Sequence, residues 1–140
     1  MKVSVKHVKG MHFQGTGTSK VVTNIDASVT AGGTGHGTSP MELLLMAIAG
    51  CSGMDVVTIL EKMQVKVQRF ETTVEGERAS DHPRVFTDIE VVYKFWGDSL
   101  PQDKVQRAVQ LSIEKYSSVA NMIDKLADLT YRIEINSTLG

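Results

Sequence analysis

The chain has 140 residues, of which 41% are hydrophobic and 22% charged, close to the usual values for a folded soluble protein. The 15 basic and 16 acidic residues nearly cancel and form no long run of either sign, so we predict neither a nucleic-acid partner nor a membrane partner. A single cysteine excludes an internal disulfide, and the polar start MKVSVKHVKG differs from a signal peptide. We therefore predict one cytoplasmic domain, residues 1–140.

The N-terminal part of the chain predicts three strands followed by a helix. The strands are KVSVKHV, MHFQGTG and KVVTNIDA, which are separated by glycine-containing turns. A loop rich in Gly, Ser and Thr, SVTAGGTGHGTSP, comes next. A capping box then starts the helix, because Ser39 is a good N-cap, Pro40 suits the first helical position and Glu42 follows Ser39 by three residues. We predict that this helix extends to about Gln64.

The second half of the chain predicts a hairpin, two helices and a final strand. Apolar residues alternate in KVQRFETTVEGER and RVFTDIEVVYKF, and the turn ASDHP separates these strands. The next helix contains DKVQRAVQLSIEKY, and Ser99 and Gln102 have the spacing of a capping box. SSVANMIDKLAD predicts a short helix and LTYRIEIN a strand. The order β-β-β-α-β-β-α-α-β belongs to the α+β class.

The central helix is too long and too apolar for a lone domain of this size. About 25 residues at ~1.5 Å each extend over roughly 37 Å, whereas a compact chain of this length has a radius of gyration of roughly 14 Å. No charged residue occurs from Leu43 to Met54, and a helix that is apolar on all sides must be covered on all sides. We predict that a second copy of the chain provides the missing cover in an obligate homodimer.

Cys51 lies in this helix between Gly50 and Gly53, and the residues around it support two interpretations. Free cysteines are among the most buried residue types and often only fill apolar space. A reactive thiol needs a helix N-terminus or a nearby cation, and Cys51 lies too far past the cap to benefit from the helix dipole. Glycine within a helix costs about 1 kcal/mol relative to alanine, so the two glycines indicate the close approach of a packed helix or a substrate.

Other candidate sites are weaker. Glu42 could be an active-site carboxylate, but its place in the capping box explains it without a function. GGTGHGTSP before a helix suggests anion binding, yet it matches neither the dinucleotide fingerprint nor the P-loop, and Pro40 removes one donor. No metal-ligand spacing occurs among the histidines, so we predict no metal and no cofactor; these residues are His7, His12, His36 and His82.

Two segments together resemble the OsmC/Ohr family, the osmotically induced and organic-hydroperoxide-resistance proteins. GTSPMELLLMAIAGCSGMDVVTILEK resembles the cysteine helix of the subgroup with Ala-Gly-Cys-Ser followed by Asp and two Val, and EKYSSVANMI resembles the second motif, in which a cysteine follows Lys-Tyr. The resemblance implies an OsmC-like fold, in which sheets wrap long buried central helices in an intertwined homodimer. It also implies thiol-dependent reduction of organic hydroperoxides: one cysteine becomes a sulfenic acid, a second resolves it as a disulfide, and a dithiol reopens that disulfide.

The match to the family's site residues is incomplete. Cys51 falls on the peroxidatic position, and Ser117 falls on the resolving position, where a hydroxyl cannot form a disulfide. Met41 takes the place of the family's carboxylate directly after the proline, and Glu42 comes one residue later. The family's thiolate-stabilising arginine lies in the N-terminal strands, but the first arginine here is Arg69. Three basic residues could take its place: Lys9, His12 and Lys20.

Two functions from different classes follow. The first is a one-cysteine hydroperoxide reductase, in which an organic hydroperoxide oxidises Cys51 to sulfenic acid and an external thiol or dithiol reduces it. The second is a non-catalytic homodimer that binds a small apolar or thiol-bearing ligand beside Cys51. The changed site positions favour the second function. The preserved Gly-Cys-Ser-Gly segment favours the first, which we prefer.

Overall fold

The computed structural model describes residues 1–138 and contains, within them, two three-stranded sheets and three α-helices. The elements in chain order are β1 (Ser4–Lys9), β2 (His12–Thr16), β3 (Thr23–Ile25), α1 (Pro40–Lys62), β4 (Arg69–Arg78), β5 (Phe86–Trp96), α2 (Gln102–Leu111), α3 (Ser118–Asp124) and β6 (Asp128–Ile135). A 3₁₀ turn at Val29–Ala31 precedes α1, and a π-helical turn at Ser112–Tyr116 connects α2 to α3. This order confirms the predicted α+β class.

Two compact units make up the chain, and the first is Met1–Leu44. Its strands pair antiparallel in the order β1-β2-β3, with Phe13 opposite both His7 and Ile25. Many apolar side chains of this unit are exposed: Val3, Val5, Val8, Met11, Phe13, Val21, Val22 and Val29. That residues 1–140 form a single domain stays a prediction.

The second unit starts at Leu45 and contains the hydrophobic core of buried side chains. Its sheet has the order β4-β5-β6, in which β4 and β5 are antiparallel and β5 and β6 are parallel. Parallel neighbours need a long crossover connection, and α2, the π-helical turn and α3 provide it. Tyr93 and Phe95 on β5 pack in this core with Val105 and Val109 of α2.

Helix α1 presents one buried stripe to this core. The stripe repeats every four residues as Ile48, Ser52, Val56 and Leu60, as expected for one face of a helix. Other apolar side chains of α1 are exposed: Leu44, Met46, Met54 and Val57. Only 22% of the most apolar 18-residue window of α1 is buried. A single chain therefore buries only one stripe of α1. The prediction that this helix is buried on all sides is not met within one chain.

By length and composition α1 could also cross a membrane. The core helix of a soluble protein passes the same test, so the property is weak evidence for a membrane span.

The predicted capping box at Ser99 is wrong. Ser99 adopts a left-handed backbone with φ 50°, and α2 begins at Gln102 with Pro101 as its N-cap residue. Proline disfavours a helical conformation in the residue before it, so Leu100 cannot belong to the helix and Ser99 lies too far upstream to cap it.

Candidate functional site

The predicted capping box at the start of α1 is confirmed. The Ser39 amide and hydroxyl donate to Glu42 Oε2 at 3.0 and 2.8 Å, and the Glu42 amide approaches Ser39 Oγ at 3.3 Å. These hydrogen bonds, first that from the Ser39 amide, hold the pKa of Glu42 below its usual value. Met41 beside it is partly buried and carries no titratable group. The Glu42 carboxylate is thus engaged in capping its own helix.

Replacing Ser39 by alanine is expected to cost about 1 kcal/mol of unfolding free energy, because the first turn of α1 loses its cap. Glu42→Gln keeps an acceptor at the same position and is expected to be nearly silent at pH 7. Urea unfolding followed by circular dichroism measures both. Loss of activity in Glu42→Gln at unchanged stability would return Glu42 to the catalytic candidates.

The sign of the pH dependence at Glu42 follows from its lowered pKa. The carboxylate stabilises the fold above the pKa of the unfolded state, and this contribution disappears as pH falls through the lower pKa of the folded state. The small difference in unfolding free energy between wild type and Glu42→Gln should therefore persist from pH 7 down to the ordinary glutamate pKa of 4.5 and close as the pH falls further.

The glycine-rich loop before α1 is organised around its own carboxylate. Asp26 is 1% exposed and accepts hydrogen bonds from the amides of Ala27, Thr34 and His36 and from the Thr34 hydroxyl. The Thr34 hydroxyl above all holds the pKa of Asp26 below its usual value. A side chain at Gly33 would lie 2.0 Å from the Ala27 carbonyl oxygen, so the loop needs glycine there. Three amides of this loop thus bind Asp26 and are not free for an anion.

The basic candidates of the N-terminal unit lie apart along its chain. Lys9 is exposed at the end of β1, and Lys20 is exposed in a turn with φ 61°. His12 Nε2 lies 2.8 Å from Asn24 Oδ1, and its ring stacks on His36 at a centroid distance of 5.8 Å. That one of these residues supplies a cation for Cys51 stays a prediction. Within residues 1–138, no group of three His, Cys, Asp or Glu side chains could hold a metal ion.

Cys51 is a free, partly exposed cysteine in the middle of α1. Its neighbour Ser52 is fully buried and centres a network of hydroxyl groups. The Tyr93 hydroxyl donates to Ser52 Oγ at 2.7 Å, Ser52 Oγ donates to the Ile48 carbonyl at 2.8 Å, and Ser112 Oγ donates to the Ser52 carbonyl at 2.7 Å. The network connects α1 to β5 and to the π-helical turn, so the backbone beside Cys51 is held from two sides.

Burial above all raises the pKa of Tyr93 to about 12, against the lowering effect of the hydrogen bond with Ser52. The hydroxyl therefore stays protonated at neutral pH and remains a donor. The sequence pattern did not single out Ser52, Tyr93 or Ser112. One feature of the sequence could have indicated this network: Tyr93 lies on the apolar face of a predicted strand. A buried tyrosine hydroxyl usually has a hydrogen-bond partner.

Ser117 has a structural role. It is fully buried and is the N-cap of α3, where its Oγ accepts from the Ala120 amide at 3.3 Å. Its own amide donates to the Ser112 carbonyl at 2.7 Å, and Asn121 Nδ2 donates to its carbonyl at 2.8 Å. The π-helical turn just before it is a feature that often occurs at functional sites. Ser117 thus anchors the start of α3.

The glycines beside Cys51 border open space. A side chain added at Gly50 would meet no described atom within 4 Å, and one at Gly53 would lie 3.7 Å from the Phe70 ring, an ordinary contact. Both glycines line a shallow apolar cleft of about 520 Å³ between α1 and β4, with Met54 and Val57. The close approach that the glycines predict does not involve the described part of this chain, so it is available to a partner or a substrate.

Comparison with known proteins identifies the family. Residues 33–132 match the family described as OsmC-like protein. The chain belongs to the OsmC-like family. This OsmC-like protein is 40% identical over 136 residues to Protein YhfA of Escherichia coli K12, and the alignment covers 96% of this chain and 98% of YhfA.

Solved structures show the same fold. A hypothetical protein from Aquifex aeolicus is 28% identical with a TM-score of 0.81, and the alignment covers 97% of each chain. The organic hydroperoxide resistance protein OhrB of Bacillus subtilis is 18% identical with a TM-score of 0.65, and the alignment covers 95% of this chain and 96% of OhrB. The second likeness shows the fold alone.

Proposed function

We propose that this OsmC-like protein reduces organic hydroperoxides through Cys51 and uses an external thiol or dithiol as reductant. The observation that carries the proposal is a free, partly exposed thiol in the central helix of a chain of this family. By the family resemblance, Cys51 falls on the peroxidatic position. The hydroxyl network of Ser52 holds the helix at this point.

The chemistry requires two steps. The Cys51 thiolate attacks the terminal oxygen of the hydroperoxide, so an S–O bond forms, the O–O bond breaks and an alcohol leaves after taking up a proton. Cys51 is then a sulfenic acid. A thiol attacks its sulfur, an S–S bond forms and water leaves. A second thiol attacks this mixed disulfide, which restores Cys51 and releases the disulfide of the reductant.

The surroundings supply parts of this site. The apolar cleft at Gly50 and Gly53 suits the organic group of the hydroperoxide. Ser117 cannot resolve the sulfenic acid, so the reductant must come from outside the chain. The thiolate needs a cation, for which Lys9, His12 and Lys20 are the candidates, and Glu42 is expected to support the helix rather than the reaction.

The uncovered part of α1 and the exposed apolar side chains of the N-terminal unit support a homodimer. We propose that a second copy of the chain provides the missing cover of α1. We propose a cytoplasmic location for this protein.

A second candidate function is non-catalytic binding of a small apolar or thiol-bearing ligand beside Cys51. The observation that favours it is the cap that the Ser117 hydroxyl provides for α3. By the family resemblance, Ser117 takes the place of the resolving cysteine. In this case the open cleft at Gly50 and Gly53 would hold the ligand without turnover.

Trapping the oxidised cysteine separates these functions. After one equivalent of cumene hydroperoxide, dimedone is expected to add once to the wild type, as measured by intact mass, because no second cysteine competes for the sulfenic acid. Cys51→Ser should give no adduct and no peroxide consumption with a dithiol, at unchanged thermal stability. A wild type that gives no adduct at pH 8 would exclude the enzyme and favour the ligand-binding function.

A further inference from the structure

A second cleft lies further along α1, beyond Cys51. It has a volume of about 380 Å³ and lies between the C-terminal half of α1 and the end of α2 with its π-helical turn. Ile59 and Leu111 provide apolar wall, and Asp55, Lys62 and Tyr116 provide the polar and aromatic groups. The reaction steps described above leave all of these residues unused.

Asp55 is the unusual member of this cleft. Its Oδ2 is buried, and no group within residues 1–138 donates a hydrogen bond to it. A buried carboxylate oxygen without a donor is costly, so a donor from outside the chain is expected to satisfy it. The ion pairs of the described residues join other side chains, and Lys62, the cation of this cleft, is not paired with Asp55.

Asp55 also has a fixed relation to Cys51. The two residues are four apart in α1, so their side chains lie on one face of the helix with Cβ atoms roughly 6 Å apart. Burial above all raises the pKa of Tyr93, and negative charge at Asp55 and at Cys51 adds to this effect. A small molecule with its charged end at Asp55 would therefore have its other end within reach of the Cys51 sulfur.

The buried oxygen of Asp55 and the aromatic ring of Tyr116 both favour an ammonium group as the hydrogen-bond donor. An ammonium group has three N–H donors and a positive charge, which suit a carboxylate oxygen out of contact with water. Tyr116 offers an aromatic ring at the same cleft, with the Lys115 ammonium already 5.3 Å from its centroid. Aromatic faces attract cations, and apolar walls suit short methylene chains.

We propose that this cleft binds the ammonium group of a cationic thiol, or of the disulfide made from it, and so directs its sulfur to Cys51. The ammonium donates to Asp55 Oδ2 while the thiol sulfur attacks the sulfenic sulfur of Cys51, forming an S–S bond with loss of water. This role as reductant site rests on the proposed function. Recognition of the cation can be measured without peroxide.

The test compares three symmetric disulfides that differ in charge: cystamine, bis(2-hydroxyethyl) disulfide and 3,3′-dithiodipropionate. The reduced Cys51 thiolate attacks one sulfur of each, which forms a mixed disulfide and releases one thiolate, and intact mass gives the rate. The ratio of the cystamine rate to the hydroxyethyl rate cancels the reactivity of Cys51 itself. In Asp55→Asn this ratio is expected to fall about five- to tenfold, because the charge-assisted bond is lost.

Glu61→Gln is the matched control, because Glu61 is exposed on the same helix and does not line the cleft. The ratio should stay at the wild-type value in Glu61→Gln and should fall in the wild type as salt screens the attraction. An unchanged ratio in Asp55→Asn would overturn the proposal.

Two further measurements keep the test decisive. Asp55→Asn removes a buried charge without a partner, so its melting temperature should not fall. If that variant failed to fold, the wild type would decide: a faster reaction with dithiodipropionate than with the hydroxyethyl compound would make Lys62 the recognition group and overturn the proposal. If the preference for cystamine depends on Asp55 but the protein forms no sulfenic acid, the cleft binds ammonium groups as proposed and the proposed peroxidase function is wrong.

Discussion

Replacing Ile48 by aspartate is expected to unfold this OsmC-like protein. Ile48 is 0% exposed in the buried stripe of α1, and its surroundings in the core are apolar. A buried carboxylate without a partner costs several kcal/mol, and the total stability of a domain is only about 5–15 kcal/mol. Circular dichroism at pH 7 should show loss of the cooperative thermal transition.

Ile48→Val is the control for this experiment. It removes one methylene group from the same place and is expected to cost about 0.5–1.5 kcal/mol. If the aspartate variant unfolded at the same urea concentration as the valine variant, the stripe would not be buried in solution.

Replacing Met54 by aspartate is expected to convert the protein from dimer to monomer. Met54 is 74% exposed in the single chain, so a charge there would change stability by less than about 0.5 kcal/mol if this face were in water. Covered by a second copy, the same charge would be buried without a partner. Light scattering at micromolar concentration should give about twice 15.3 kDa for the wild type and about 15.3 kDa for the variant.

Met122→Asp is the matched control, since Met122 is a similarly exposed methionine on α3 rather than α1. It should leave the dimer intact. A wild type that is monomeric and stably folded would contradict the proposed cover of α1, and so would a Met54→Asp variant that remains a dimer.

Local patterns predicted the elements of this fold well. The capping box at Ser39 involves residues three apart, and the alternation of β5 depends only on its own residues, so both could be predicted from the chain. The wrong prediction of a cap at Ser99 also has a local cause. Pro101 keeps the residue before it out of the helix, and this effect outweighs the favourable spacing of Ser99 and Gln102.

Contacts between distant residues explain what the sequence could not predict. Tyr93 and Ser112 each form a hydrogen bond with Ser52, although they lie 41 and 60 residues away from it in the sequence. No local sequence pattern indicates either pair. The loop resembled an anion site in the sequence, and the hydrogen bonds from three of its amides to Asp26 became visible only in the fold. The candidate site was predicted at Cys51 and Ser117 by family resemblance, whereas Asp55 required the structure.

The sparse cover of α1 and the proposed homodimer together lead us to expect that stability depends on protein concentration. Only 22% of its apolar 18-residue window is buried by its own chain, so in the proposed dimer much of the burial of α1 would come from association. Because the proposed cover is a second copy of the chain, folding is coupled to dimer formation. The apparent free energy of unfolding therefore depends on protein concentration. Dilution is then expected to lower the stability of the fold, and the melting temperature is expected to rise with protein concentration. Newly made chains, which meet no partner at first, are the most exposed to aggregation and proteolysis.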